Sequence, residues 1–105
     1  MLRQSARFCV ISLLATGTIL AQSSGADIFK SKCQMCHGAD GSGNTPAGKS
    51  TKVVPFNSPE IIAKSDADLI AITAKGRGKM PAYAGKLTDD QIKEVVAHIR
   101  TLQKK

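Results

Sequence analysis

CQMCHG, residues 33–38, sets two cysteines one helical turn apart with a histidine directly against the second. Four chemistries compete for such a cluster. A redox dithiol of the thioredoxin kind sits at a strand-to-helix junction in a βαβ setting, and no strand-like segment precedes Cys33. A structural zinc ion wants four ligands, which Cys33, Cys36, His37 and His98 supply on paper. Adjacent Cys36 and His37 would then have to serve one metal, against the usual ligand spacing. A Cys33–Cys36 disulfide closes a very small loop, stabilises little, and leaves His37 unexplained. Haem attachment uses all three residues. On one helical turn the two thiols lie on adjoining faces, spaced to form thioethers with two vinyl groups on one macrocycle edge. His37, four residues after Cys33, falls on a neighbouring face where a ring nitrogen can meet the iron.

The sequence before the cluster fits that chemistry. MLRQSAR carries two arginines, and the uncharged apolar run FCVISLLATGTILA follows, with Ala21, Gln22, Ser23 and Ser24 at its end. The run is too short for a membrane span and has the order of a secretory signal. Cleavage after Ala21 is expected, with Ala26 as the second choice. Residues 1–21 are then a signal peptide and residues 22–105 the mature domain, exported, with the bacterial periplasm as its compartment. Cys9 leaves with the signal, so Cys33 and Cys36 are the cysteines of an exported chain. Removing 21 of 105 residues leaves 84, with no tryptophan and only Phe29, Phe56 and Tyr83 as aromatics. So thin a core benefits from a prosthetic group that fills its middle.

The chain has 15 basic and 8 acidic residues; without Arg3 and Arg7 the mature balance is 13 to 8. The lysines are dispersed and no nucleic-acid motif is present, so nucleic acid is not the expected partner. The excess reads mainly as a solvated surface.

ADIFKSKCQMCHG reads as a first helix ending at Gly38. The following segment, ADGSGNTPAGKSTKVVPFNSP, has no trustworthy helical or strand period and reads as a long loop wrapping a ligand. SPEIIAK is a short helix. In KSDADLIAITAKG, Ser65 caps a helix that stops at Gly76, with Asp68 in its first turn. GRGKMPAYAGKL is a second loop. Thr88 caps the last helix, with Gln91 in the capping-box position and an apolar stripe of Ile92, Val95, Val96, Ile99 and Leu102. The expected fold is all-α, with three to four helices around one group.

The iron's sixth position is assigned to Met80. Met35, between the cysteines, points away from a plate they hold, and His98 reads as a packing residue on the flank of the last helix. Pro81 forces Met80 into extended backbone. Gly76 and Gly78 are expected to bring that backbone close to a flat ligand.

Together these pieces resemble the class I c-type cytochromes, the small monohaem kind. Gly25 and Phe29 ahead of CQMCHG, the GSGNTPAGK loop, GKMPAY and LTDDQIKEVVAHIRTL match, covering nearly all of the chain after the signal. The resemblance implies the cytochrome c fold and one haem c with its iron. It also implies that the first and last helices cross near Gly25 and Phe29, where His98 stands in for a usual aromatic. The carbonyl of Pro46 is expected to accept the other N–H of His37, a bond that would tune the iron.

The reading that follows is a soluble electron carrier rather than an enzyme. With His37 and Met80 both bound, the iron is closed to substrates, and a soft thioether raises its potential. Lys30, Lys32, Lys75, Arg77 and Lys79 flank the two haem-contacting segments and would steer acidic redox partners to a monomer without a membrane span. An open-iron peroxidase or gas sensor lacks a distal His–Arg pair here. A haem subunit of a larger reductase or oxidase is the other alternative.

Overall fold

The computed structural model describes residues 24–104. The expected signal segment 1–21, the cleavage site after Ala21 and Cys9 lie outside them.

A continuous helical run opens the described chain: α1 (Gly25–Ile28), a π-helical segment (Phe29–Cys33) and α2 (Gln34–His37). Ser24 caps its start through the Asp27 amide, and the run stops at Gly38 as the sequence indicates. The amide of Gln34 reaches back to the carbonyl of Phe29, the wider turn of a π-helix. Such turns often mark functional sites. Here it keeps both Phe29 and Cys33 buried on the core side.

Four further helices follow: α3 (Pro46–Thr51), α4 (Pro59–Ile62), α5 (Asp66–Lys75) and α6 (Asp89–Leu102). The fold is all-α, with one helical segment more than expected. The addition is α3, inside the stretch read as structureless. Thr45 caps it through the Gly48 amide, and Pro46 occupies its first turn, where a missing N–H costs nothing. The caps legible in the sequence are present: Ser65 accepts from the Asp68 amide, and Thr88 and Gln91 form a reciprocal capping box. Among the described residues, the only pairings of the β type are two isolated bridges, Arg77–Met80 and Ala84–Leu87. No described helix is long and apolar enough to cross a membrane.

The core lies where α6 crosses α1 and packs against α5. Ile92, Val95, Val96, Ile99 and Leu102, the expected stripe, are all buried. Phe29, Ile92, Val95 and Val96 are the largest fully enclosed side chains. The crossing needs Gly25, because a Cβ there would run into the backbone carbonyl of Glu94. His98 packs on Phe29 at this crossing, ring centroids 5.0 Å apart and tilted by 52°.

Candidate functional site

One cavity of about 430 Å³ gathers Cys33, Cys36, His37 and Met80 on its walls. Its apolar lining comes from separate parts of the chain: Val53, Val54 and Phe56 after α3, Leu69 and Ile72 from α5, Val95 and Ile99 from α6. Met35 takes no part, and its side chain is 79% exposed.

The end of α2 is held tightly. The amide of Gly43 donates to the His37 carbonyl at 2.7 Å, and the Thr45 hydroxyl donates to the Cys36 carbonyl at 3.0 Å. Gly48 lets α3 approach so closely that a Cβ would strike the carbonyls of Cys36 and Gly43. The glycine- and proline-rich segment therefore first buttresses the attachment helix and only then, from Thr51 to Phe56, turns to the cavity wall.

Burial pushes the Cys33 thiol up to about 11, opposed by Lys32 and reinforced by Cys36. Before attachment that thiol is protonated at neutral pH. Burial holds the His37 imidazole below its usual range, so the ring is neutral and keeps a lone pair for a metal. Its Nδ1 is buried and makes no hydrogen bond among the described residues. The expected bond to the Pro46 carbonyl is therefore not formed, and Pro46 does not line the cavity. It serves instead to start α3. Against His37 stands Phe56, with ring centroids 4.6 Å apart and planes within 19°. The sequence reading counted Phe56 as a scarce aromatic and gave it no role.

Met80 sits in a tight turn. Its amide and carbonyl exchange hydrogen bonds with those of Arg77 at 2.9 and 3.2 Å. Gly76 was expected to bring backbone near a ligand. It instead admits the loop's own return: a Cβ would come within 2.6 Å of the Met80 carbonyl and 2.9 Å of the Ala82 amide. The loop then runs back beside α5, with the Tyr83 and Ala84 amides donating to the carbonyls of Thr73 and Ala74. The Tyr83 hydroxyl donates to the Lys32 carbonyl at 3.1 Å, tying the Met80 loop to the cysteine-bearing helix.

Of the five basic residues singled out in the sequence, Lys32, Arg77 and Lys79 line the cavity, whereas Lys30 and Lys75 do not. Lys52 and Lys64 take their places, with Glu60 the acidic residue beside them. No local signal marks Lys52 or Lys64, because only the chain path brings them to this opening.

The donor set suits a c-type haem. Two thiols, a neutral imidazole with an orphaned buried nitrogen and a thioether meet in one largely apolar cavity, which is the ligand chemistry of His/Met haem iron.

The comparisons with known proteins agree. The family model described as cytochrome c oxidase, cbb3-type, subunit III matches residues 21–99. Cytochrome c6 of Thermosynechococcus vestitus is 32% identical over 91 residues, covering 86% of this chain and 78% of that protein. The cbb3-type oxidase subunit FixP of Azorhizobium caulinodans is 30% identical over 93 residues, 88% of this chain but only 31% of that protein. Among solved structures, the KustC0563 c-type cytochrome superposes with a TM-score of 0.70 at 27% identity, covering 76% of this chain and 98% of that one. The chain belongs to the family that this model describes and is a small class I c-type cytochrome, whose prosthetic group is covalently bound haem c with its iron.

Proposed function

We propose that the protein is a soluble, monomeric carrier of single electrons, with Cys33 and Cys36 holding the macrocycle through thioethers and His37 and Met80 as the axial ligands. The observation that carries this reading is the meeting of these four side chains in one cavity. Haem c supplies a one-electron iron couple when bound. The neutral His37 imidazole and the uncharged Met80 thioether can stay in place in either oxidation state, so little rearranges when an electron moves. The apolar walls keep water from the centre. Mature residues 22–105 are proposed to work in the bacterial periplasm.

The partners proposed are redox proteins with acidic docking surfaces, drawn to Lys32, Lys52, Lys64, Arg77 and Lys79 around the cavity. Second-order electron transfer should slow as salt rises, because the Debye length falls from about 10 Å at 0.1 M to about 3 Å at 1 M.

The test of the ligand set is spectroscopic. The oxidised protein should show the weak near-infrared sulfur-to-iron charge-transfer band. Met80→Ala should abolish it and open the iron to imidazole, and Met35→Leu should leave it unchanged. A wild type without the band that binds carbon monoxide freely would replace this reading with the open-iron one. Haem that leaves on acid–acetone extraction would remove the thioethers.

A second reading, a haem subunit within a larger oxidase, is favoured by the FixP relatives and by the description of the matching family model. The chain spans about a third of their length. Recovery of the protein in complex with membrane-bound oxidase subunits would favour it over a free carrier.

A further inference from the structure

The cavity wall between Phe56 and Lys64 is fastened unlike the rest. α4 forms its middle, where Glu60 and Ile61 line the cavity. Among the described residues, the amide hydrogen bonds along 58–64 all run to carbonyls of 55–61, within the same stretch of chain. α4 also lacks the broad helix-to-helix packing that joins α6 to α1 and to α5, and Ile62 stays 49% exposed. A single helical turn is not stable by itself, so its place depends on what holds its two ends.

Both ends lead to the last turn of α6. At the exit from α4, the Arg100 guanidinium donates to the Lys64 carbonyl and, through Nε, to the Asp66 carboxylate at 2.8 Å. Its remaining nitrogen donates to the Gln103 side-chain oxygen at 3.0 Å. The Gln103 side-chain nitrogen in turn donates to the Phe56 carbonyl at 3.0 Å, at the entry to α4. One arginine therefore serves the exit directly and the entry through Gln103. Three acceptors in fixed directions suit the planar guanidinium fork, which a lysine lacks. Arg100 is 26% exposed and Asp66 71%. An ion pair with so exposed a carboxylate contributes little, so the carbonyl contacts carry the fastening. Arg100, Asp66 and Gln103 all lie off the cavity wall.

From this arrangement we infer that Arg100 is the positioning residue for the α4 wall, holding it over the cavity from behind and so keeping water from the centre. The consequence for electron transfer rests on the carrier reading proposed above. Burial is one of the levers that set a haem potential, and water admitted past a loosened wall would favour the ferric state and lower it.

The experiment is amide hydrogen exchange on the holoprotein, read together with its reduction potential. Arg100→Lys keeps the charge and removes the fork. It should speed exchange at Ser58, Ile61, Ile62, Ala63 and Lys64 about tenfold or more, as expected for losing hydrogen bonds to a charged group, and it should lower the potential. Asp66→Asn removes only the carboxylate charge and should change those rates by less than about twofold. Gln103→Leu frees the Phe56 end and should speed exchange at Ser58 more than at Lys64. Val96→Ala is the control for a merely structural role. Val96 is buried in α6 and off the cavity wall, so this change should lower the unfolding midpoint and leave the α4 exchange and the potential as they are. The inference is overturned if Arg100→Lys leaves α4 exchange at the wild-type rate, if Asp66→Asn reproduces its effect, or if the wall loosens with no fall in potential. Should Arg100→Lys not mature, Gln103→Leu decides: equal exchange at the two ends overturns the inference. Failure of the carrier reading would look different, because the wild type would lack the near-infrared band while α4 exchange still responded to Arg100.

Discussion

The two segments that present His37 and Met80, the proposed axial ligands, are built in different ways. Around His37, backbone contacts, a side-chain hydroxyl and a packed ring all bear on the segment. The carbonyls of Cys36 and His37 are taken by Thr45 and Gly43, α3 is pressed against them, and the imidazole face is covered by Phe56. Around Met80, the chain is a loop closed on itself by the Arg77–Met80 bridge and fastened at few places: the α5 carbonyls and the Tyr83 hydroxyl. Arg77, Gly78, Lys79, Pro81 and Ala82 are all exposed. Local stability follows buried contact and protected hydrogen bonds. The difference therefore says which side yields first: the thioether is held by a hinged loop and the imidazole by the core.

The largest effect should come from breaking the packed side. Gly48→Ala places a methyl group against the carbonyls of Cys36 and Gly43, both backbone atoms that cannot swing aside. Overpacking of this kind costs about 1–3 kcal/mol, and the upper part of that range is expected here. Guanidinium unfolding of the holoprotein measures it. The companion change on the loop is Gly78→Ala, where a Cβ meets nothing within 4 Å and only the φ of +57° is disfavoured. That strain is about 1 kcal/mol. It should appear as faster imidazole binding at the iron more than as a lower unfolding midpoint. Equal costs for the two variants would erase the contrast between the segments.

Next in size is the latch between them. Tyr83→Phe removes the hydroxyl that bonds the Lys32 carbonyl, a loss of about 1 kcal/mol. Burial raises the Tyr83 phenol, with Cys33 and Cys36 adding to the shift while they are free thiols. Once the thioethers form, burial remains. The neutral phenol is the donor, so with its folded pKa above the unfolded value of about 10 the latch is complete below pH 10. It is lost as the pH rises through the folded value. The near-infrared band of the wild type should therefore fade over that alkaline window. Tyr83→Phe should lose the part of the pH dependence due to the phenol and start from a looser loop at neutral pH. A variant with the wild-type alkaline profile would mean that the hydroxyl bond does not hold the Met80 loop.

How far the sequence carried these conclusions depends on how far apart the interacting residues lie. The helix caps at Ser65 and Thr88 and the stripe from Ile92 to Leu102 are set by neighbours three or four positions away, and they stand as read. CQMCH is legible because its chemistry is written in residue types at short spacing, and Met80, read from its place before Pro81, lies on the same cavity wall. What escaped the sequence is non-local or set by backbone detail. Phe56 reaches His37 across 19 positions by a path that runs through α3. Lys52 and Lys64 join the basic opening while Lys30 and Lys75 are not on its wall. The π-helical turn at Phe29–Cys33 differs from an α-turn by one residue of hydrogen-bond register, which composition does not encode. Pro46 was assigned by family resemblance to a hydrogen bond, and its local fitness for a helix start was the better guide.

The smallest effect should be at the helix crossing, outside the cavity that His37 and Met80 line. His98 is half-buried and tilts on Phe29 at 5.0 Å. A shallow groove lined by Ser24, Gly25, Glu94 and Thr101 lies beside it and gives a larger ring room. His98→Phe keeps the tilted aromatic pair and buries more apolar surface, so it should stabilise the fold by about 0.5–1 kcal/mol, measured as a higher unfolding midpoint. Neither the near-infrared band of the Met80 segment nor the hyperfine-shifted haem-methyl NMR signals of the oxidised holoprotein, which report on the His37 side, should change. This sharpens the comparison because Phe29 also touches Phe56, and through it the His37 side. If His98→Phe shifts the haem-methyl signals while the band stays fixed, the ring stack transmits strain from the crossing to the imidazole alone. If it shifts the band, the Met80 loop is coupled to the core after all, and the division between a packed ligand and a hinged one fails.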